Sequence, residues 1–353
     1  MPPPATQDEG RTAPSEKRGR RLAGPLPYVV AAVLAVVLVV VTVVRGGAAD
    51  VTNEALGDQQ LKIMAPADPG GGWDQTSRAM QASLKELAGR TEVYNVGGAG
   101  GTIGLSQFAQ LDGQSHQLMT TGLIMVGAIA ANGSANTLDE VTPLARLTTD
   151  SQVIVVPAES DIMTMEDLAD RMRDQLSSVS FAGGSAGGAE QILAGLVAKD
   201  LELNPGDVNY IAHSGGGEAV ATLLSGSAVA GISGISEIKA QIDAGQMRAL
   251  AVSSAERVGV LPDVPTLRES DIDVELTNWR GVVAPAGITT EQEQALESLV
   301  MAMTETDEWQ ETLAREGWGD VALAGPQFET FLDDEIVRTT QIVDELGLSE
   351  EQR

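Results

Sequence analysis

The chain has 353 residues, of which 43% are hydrophobic and 20% are charged, so it is long and apolar enough for two domains with hydrophobic cores. Acidic residues outnumber basic residues by 50 to 22, which gives a formal net charge of -28 at pH 7. Such a surface repels the phosphate backbone of nucleic acids. The sequence has no cysteine, which excludes disulfides, thiolate metal sites and thiol nucleophiles. The composition therefore indicates a folded, acidic protein and argues against nucleic acid as a partner.

The first fifty residues contain the pattern of an export signal. Residues 1–25 carry a basic cluster, and Leu26 to Val44 then form nineteen residues without a charge. This segment, residues 26–44, is either the hydrophobic part of a cleaved signal peptide, with small residues at 46–49 as the cleavage site, or a retained membrane anchor. In both alternatives residues 1–25 stay in the cytoplasm and residues 45–58 are a linker. The remainder is exported to the periplasm or to the outer face of the cell membrane.

From residue 59 on, short runs typical of β-strands alternate with amphipathic helical stretches. The first helix is expected where Met80, Leu84 and Leu87 form one apolar stripe before Gly89. Strands are expected at LKIMAP, TEVYNV, HQLMTTG, SQVIVVP, SVSFAGG, VNYIAHS, VAGISG, MRALAVSS and GVVAPAG (281–287), and late helices at about 290–303 and 326–346. Strands that alternate with helices predict an α/β fold with a parallel sheet covered on both faces.

Four glycine-rich turns lie where a predicted strand leads into a helix. They are Gly70 to Trp73, Gly97 to Gly101, Gly183 to Gly188 and Gly215 to Gly217. Open α/β sheets bind ligands at the carboxyl ends of their strands. Without Cβ atoms, main-chain amides in such turns can converge on one anion, next to the positive end of a helix dipole. The turns therefore predict an anion site, and the alternative is that each one is only a tight connection.

Two absent motifs argue against a nucleotide as the anion. The turns contain neither the phosphate-loop pattern G-x-x-x-x-G-K-[ST] nor the dinucleotide pattern G-x-G-x-x-G. A small carboxylate held by amides is therefore favoured over a nucleotide.

Several stretches occur together in one order from about Leu61 to the C-terminus: PGGGWDQTSR, YNVGGAGGTIG, FAGGSAGG, VNYIAHSGGGEAVATLLSG, LPDVPTLRES, NWRGVVAPAG and LAREGWG. In this order the chain resembles the extracytoplasmic solute receptors of tripartite tricarboxylate transporters, the Bug-type binding proteins. The resemblance implies a two-domain, periplasmic-binding-protein-like fold of type II, a Venus-flytrap. Its first domain would be residues 59–152 plus 254–353, and its second domain residues 153–253.

The resemblance also implies a ligand site between the two domains. Two loops of the first domain would hold one carboxylate of the ligand through main-chain amides and water: Gly70, Gly71, Gly72, Trp73 and Asp74, and Gly97, Gly98, Ala99, Gly100, Gly101 and Thr102. The second domain would close over the remainder with Gly184, Ser185, Ala186, Gly187 and Glu190. There the family pattern Gly-Ser-x-Gly-x-Gly followed by Ser is incomplete, because Ala189 and Glu190 stand at its last two positions.

Other residues are expected near this site, and two of them have two interpretations each. Thr121 and Gly122 follow the third strand and are expected in the same cleft by topology. Asp74 and Glu190 each stand in the first turn of a helix, where a carboxylate complements the dipole. Asp74 could instead order the loop beside the ligand, and Glu190 could pair with a cationic group of the ligand. Arg280 is expected to pair with a carboxylate at the surface.

A serine hydrolase is the alternative function. GGSAG, Gly183 to Gly187, matches the nucleophile-elbow pattern, with His213 downstream of Ser185. The acid of a triad would have to come from Asp200, Glu202 or Asp207, and this spacing is too short for a complete hydrolase sheet.

We therefore predict a binding protein with no catalytic residues, cofactor or metal. It binds a small organic carboxylate, and its hinges are expected near residues 151–157 and 249–255. The resemblance implies a large and a small integral membrane transporter subunit as its partners, and we expect a monomer. Tricarboxylates, dicarboxylates, aromatic acids and amino acids all remain open as ligands.

Overall fold

The computed structural model describes residues 59–349 together with Leu56. The predicted signal or anchor segment, residues 26–44, lies outside the described residues. Within the described part, every helix is too short or too polar to span a bilayer.

Ten strands form the described sheet: β1 Lys62–Ala65, β2 Glu92–Asn95, β3 Gln117–Gly122, β4 Val141–Pro157, β5 Ser180–Gly183, β6 Asn209–Ala212, β7 Ala230–Gly234, β8 Met247–Val252, β9 Thr277–Pro285 and β10 Gly319–Ala324. The α-helices of the same part are α1 Gly72–Ser83, α2 Thr102–Phe108, α3 Leu123–Asn132, α4 Met165–Gln175, α5 Ala189–Asp200, α6 Gly216–Leu224, α7 Ile235–Asp243, α8 Thr290–Thr304, α9 Asp307–Glu316 and α10 Pro326–Glu345. The predicted α/β class is confirmed.

The sheet is mixed, so the prediction of a parallel sheet is only half right. Its strand order is β2-β1-β3-β9-β4-β7-β5-β6, and β8 and β10 also pair with β4. β1 is parallel to β2 and β3, and β5 is parallel to β6 and β7. β9 is antiparallel to both β3 and β4. The prediction failed because β9 returns from far along the chain, and local alternation carries no information on such a pairing.

β4 is much longer than the predicted strand SQVIVVP at 151–157. It spans Val141–Pro157, seventeen residues. Its first part pairs with β9 and β10, and from Gln152 onward it pairs with β7 and β8. The first part contains Pro143 and register shifts against β9, which hide the alternating pattern from sequence inspection. One strand therefore connects both sets of partners.

Three elements were not predicted. They are α4, α9 and β10, and β9 also begins at Thr277, four residues before the expected start. α4 does carry a recognisable signal, a capping box formed by Thr164 and Asp167. Most exposed residues of α9 are polar, and its buried residues are Trp309, Thr312 and Leu313.

The predicted apolar stripes face the core. Met80 and Leu84 are fully buried and Leu87 is partly buried. At the other end of the chain, Met303 of α8 is fully buried in the same cluster, while Met301 is partly buried at its edge. Core packing therefore explains both methionines of α8.

These two methionines form a matched pair on one helix. Met303→Ala should lower the free energy of unfolding by about 2–5 kcal/mol, because it removes a buried side chain and leaves a cavity. Met301→Ala should lower the free energy of unfolding clearly less, because the side chain of Met301 is already partly exposed to water. Urea unfolding followed by circular dichroism measures both, and equal losses would contradict the burial assigned to Met303.

Candidate functional site

All four glycine-rich turns line one cleft. It encloses about 540 Å³ of free space, including the solvent at its mouth. The four turns connect β1 to α1, β2 to α2, β5 to α5 and β6 to α6. The first turn of α7 and strand β9 supply further residues of the wall. The cleft thus lies where several strands end, as expected for an α/β sheet.

The structure places half of the predicted site residues in the cleft wall. These are Gly71, Gly72, Trp73, Gly98, Gly100, Gly101, Gly184, Ser185 and Glu190. The others do not line the cleft: Gly70, Asp74, Gly97, Ala99, Thr102, Thr121, Gly122, Ala186 and Gly187. Wall residues that sequence reasoning did not include in the site are Pro66, Ala67, Ile124, Ser214, Gly215, Gly216, Glu237, Asn278 and Arg280.

Several residues outside the wall form hydrogen bonds within the protein. The hydroxyl of Thr102 donates to the Ala99 carbonyl at 2.9 Å, and that of Thr121 donates to the sulfur of Met125 at 3.4 Å. The Gly187 amide donates to Gln191 at 2.8 Å. These groups shape the turns.

Asp74 ties the β1–α1 turn together. Its carboxylate accepts hydrogen bonds from the Gly70 amide at 2.8 Å, from Asn95 at 2.9 Å and from Arg78 at 3.0 Å. Burial acts to raise the pKa of Asp74, but together the bonds from Arg78, Gly70 and Asn95 hold that pKa below its ordinary value. Asp74 is therefore an ionised carboxylate that orders the loop.

Several amides of this first turn are already engaged. Gly70 donates to Asp74, and Gly71 donates to the carbonyl of Asp68 at 3.1 Å. The Gly72 amide donates to the carboxylate of Glu237.

The β2–α2 turn requires glycine for its backbone shape. Gly98, Gly100 and Gly101 have φ angles of 114°, 63° and 88°, which side chains other than glycine rarely adopt. A Cβ atom on Gly101 would lie 2.7 Å from the ring of Trp73. Trp73 therefore packs beneath this turn and also forms part of the cleft wall.

The β5–α5 turn faces the β2–α2 turn across the cleft. A Cβ atom on Gly100 would lie 3.5 Å from the Cβ of Ser185. Tyr210 supports this turn, since its hydroxyl donates to the Gly184 carbonyl at 3.0 Å. Ser185 is thereby held at the cleft surface.

Arg280 is buried, so the expectation of a surface ion pair was wrong. Its side chain is 1% exposed, and Nη2 lies 2.6 Å from Oδ2 of Asp150. Nη1 donates to the hydroxyl of Thr76 at 3.2 Å. Burial raises the pKa of Asp150, and the opposing effects of Arg280 and Ser236 only partly offset that rise. The expectation failed because β9 begins at Thr277, which places Arg280 inside a strand between β3 and β4.

Glu190 and Glu237 give the cleft an acidic wall. Glu190 is 4% exposed, and burial, together with the charge of Glu237, raises its pKa to about 8. Burial likewise raises the pKa of Glu237 to about 7, although Arg280 acts in the opposite direction. Glu237 was missed because the strand-to-helix turn β7–α7 has a single glycine, Gly234, which the search for glycine runs passed over.

The geometry does not assemble a catalytic triad at Ser185. Within the described residues, Nε2 of His213 has no hydrogen-bond partner, and its Nδ1 lies 3.9 Å from Glu218. A nucleophilic serine needs a base within hydrogen-bonding distance. The described residues also contain no group of three His, Cys, Asp or Glu side chains that could hold a metal ion.

Comparisons with known proteins agree with this geometry. The model of the tripartite tricarboxylate transporter family receptor matches residues 76–348. BugT of Bordetella pertussis is 26% identical over 309 residues, which cover 86% of this chain and 94% of that protein. An Agrobacterium vitis UPF0065 protein is 27% identical over 229 residues, which cover 64% of this chain and 65% of that protein.

Solved structures show the same fold. The periplasmic binding protein BugD superposes with a TM-score of 0.75 at 22% identity, covering 83% of this chain and 99% of that one. MatC from Rhodopseudomonas palustris, with bound malate, gives 0.72 at 23% identity, covering 82% and 100%. A second R. palustris protein, with adipate, gives 0.74 at 20% identity, covering 82% and 98%. The fold is that of periplasmic binding proteins.

The family match spans most of the described residues and includes four of the turns that line the cleft, those before α2, α5, α6 and α7. On that basis the chain belongs to the family of tripartite tricarboxylate transporter receptors.

Proposed function

We propose that this receptor captures a small organic acid in the cleft and delivers it to integral membrane transporter subunits, one large and one small. The observation that carries the proposal is the convergence of four glycine-rich turns on one cleft. Such turns let main-chain amides approach a carboxylate closely. Malate and adipate, named with two structural neighbours, are acids of this class, which supports a carboxylate as the solute. Di- and tricarboxylates are therefore the first candidates.

Capture would proceed by closure of two lobes, residues 59–152 plus 254–353 and residues 153–253. The turns before α1 and α2 belong to the first lobe, and those before α5 and α6 belong to the second. β4 and β8, which pair side by side, carry the proposed hinges at 151–157 and 249–255. A solute that contacts both lobes would favour the closed form, because only that form offers both sets of contacts.

The acidity of the chain is compatible with an anionic solute. Export and monomeric action, as predicted from the sequence, would leave the cleft exposed to an ionic medium. At physiological salt, charges farther away than about 8 Å are largely screened. Hydrogen bonds from amides in the cleft would then favour binding of an anion more than the formal net charge of -28 opposes it.

The first test is solute binding by the full-length protein and two matched variants. A panel of di- and tricarboxylates should include a solute that raises the melting temperature and gives a Kd by titration calorimetry. Gly215→Leu should weaken that binding at least tenfold, because Gly215 lines the cleft and its added side chain would enter open space. Its φ of -169° suits any residue, so folding is preserved.

Gly217→Leu is the control for this test. Gly217 also has open space at its Cβ position, but it lies outside the cleft wall. Its binding should match that of the wild type. If no organic acid binds, or if both leucine variants bind normally, the proposed site is refuted.

Asp150 connects the two proposed lobes. It accepts hydrogen bonds from Arg280 at 2.6 Å and from Ser236 at 2.7 Å, and these donors stand in the first and the second lobe respectively.

Removing the carboxylate of Asp150 should therefore destabilise the fold. Asp150→Asn should lower the free energy of unfolding by about 3–5 kcal/mol, because it removes the carboxylate that is directly hydrogen-bonded to the buried guanidinium of Arg280. Asp161→Asn breaks the exposed pair with Arg171 and should change little. Denaturant titration of both variants measures the difference, and similar small losses would contradict the assigned role of Asp150.

Ser185→Ala separates the receptor from the hydrolase. The variant should bind the solute with an affinity within about tenfold of the wild type, since at most one hydroxyl contact is lost. Neither protein should hydrolyse an ester panel. Ester turnover that disappears in the variant would support the hydrolase instead.

A further inference from the structure

The charged side chains around the cleft do not balance one another. Arg280 is the one cationic side chain in the cleft wall formed by the described residues, and it is already paired with Asp150 at 2.6 Å. Glu190 and Glu237 add two more carboxylates to the wall. Three carboxylates thus surround one guanidinium in a poorly solvated space, where unpaired charge is costly.

Two hydrogen-bond acceptors in the wall also lack a donor. Oε2 of Glu190 and Oδ1 of Asn278 are buried, and neither has a hydrogen-bond partner in the described part of the chain. The two residues are 4% and 3% exposed. Buried polar atoms without a partner are uncommon in folded proteins. Both atoms are therefore free to accept a hydrogen bond from a bound solute.

An ammonium group meets both requirements, because it carries one positive charge and three N–H donors. A metal ion is less suitable. It would need a set of several ligands, and among the described residues no group of three His, Cys, Asp or Glu side chains could hold a metal ion.

We propose that this cleft selects solutes that carry an ammonium group as well as a carboxylate, that is, amino acids and related zwitterions, and that Glu190 and Glu237 bind the ammonium. This inference rests on the proposed function, because it assigns the second pole of the same solute. Glu190 would then bind the solute in addition to complementing the dipole of α5.

The amide contacts indicate where the carboxylate of the zwitterion binds. In the first turn the amides of Gly70, Gly71 and Gly72 already have partners, the last of them Glu237 itself. The β2–α2 turn, with Gly98 and Gly100 in the cleft wall, is left for the carboxylate. The ammonium then lies at the acidic side of the cleft.

Matched pairs of solutes test this inference with the full-length protein. Titration calorimetry should compare aspartate with succinate, glutamate with glutarate, and 4-aminobutyrate with butyrate. At least one amino acid should bind tenfold or more tightly than its partner without nitrogen. Glu190→Gln should remove most of that preference.

Glu166→Gln is the matched control, since Glu166 is an exposed glutamate in the first turn of α4. It should keep the full preference. Melting temperatures without solute report folding, and Glu237→Gln carries the test if Glu190→Gln fails to fold.

The failures of the two proposals are distinguishable. If some organic acid binds but no amino acid binds tenfold more tightly than its partner without nitrogen, the ammonium site is refuted and the carboxylate receptor stands. If neither member of any pair binds, and no di- or tricarboxylate binds either, both proposals are refuted.

Proton exchange provides a second readout of the same binding. Glu190 has a pKa of about 8, so it is partly protonated near pH 7.5. An ammonium favours its ionised form, and binding should release protons, whereas a solute with carboxylates alone should take protons up. The groups that face Glu190 are Glu237 on α7, Asp150 on β4, Arg280 on β9 and Tyr210 on β6.

Calorimetry in buffers of different ionisation enthalpy gives the number of protons exchanged. Release should shrink in Glu190→Gln and persist in Glu166→Gln. Tyr210 stays neutral throughout, because burial raises its pKa well above the ordinary value. Net proton uptake on binding of an amino acid would overturn the inference.

Discussion

The buried ion pair between Arg280 and Asp150 is the interaction on which the rest of the cleft depends. It joins β9 to β4 at the point where β4 changes its partners from β9 to β7. Ser236 adds a third contact from α7. A buried charge is tolerated only when it is paired and hydrogen-bonded, and this pairing is possible only where β9 lies beside β4. The same guanidinium is also the local counter-charge for the glutamates of the cleft.

Glycine is used around this pair for two different physical reasons. At Gly98, Gly100 and Gly101 the backbone adopts positive φ angles, so a side chain would strain the turn itself. At Gly72 and Gly184 the backbone is ordinary, but a Cβ atom would press on a charged group, Arg280 or Glu190 respectively. Glycine thus lets the main chain approach both the solute space and the buried charges.

Local patterns revealed the parts of the site that one short segment can encode. A strand followed by a glycine run and an apolar helical stripe identified the turns that contain Gly72, Gly98, Gly184 and Gly215, and all four turns line the cleft. No local pattern distinguishes Glu237 from any other glutamate in the first turn of a helix. Its place in the wall depends on β7 lying next to β4, a pairing between segments about eighty residues apart.

The sequence by itself determined the α/β class, the order of most strands and helices, and the family resemblance, because each is encoded in hydrophobic periodicity and short motifs. Only the tertiary structure decided that β9 is antiparallel, that β4 continues through both groups of strands and that Arg280 is buried. It also decided that Glu190, Glu237 and Asn278 meet in one cleft. These features arise from pairings between distant segments, whose free energy depends on burial and charge in the assembled fold and leaves no periodic trace along the chain.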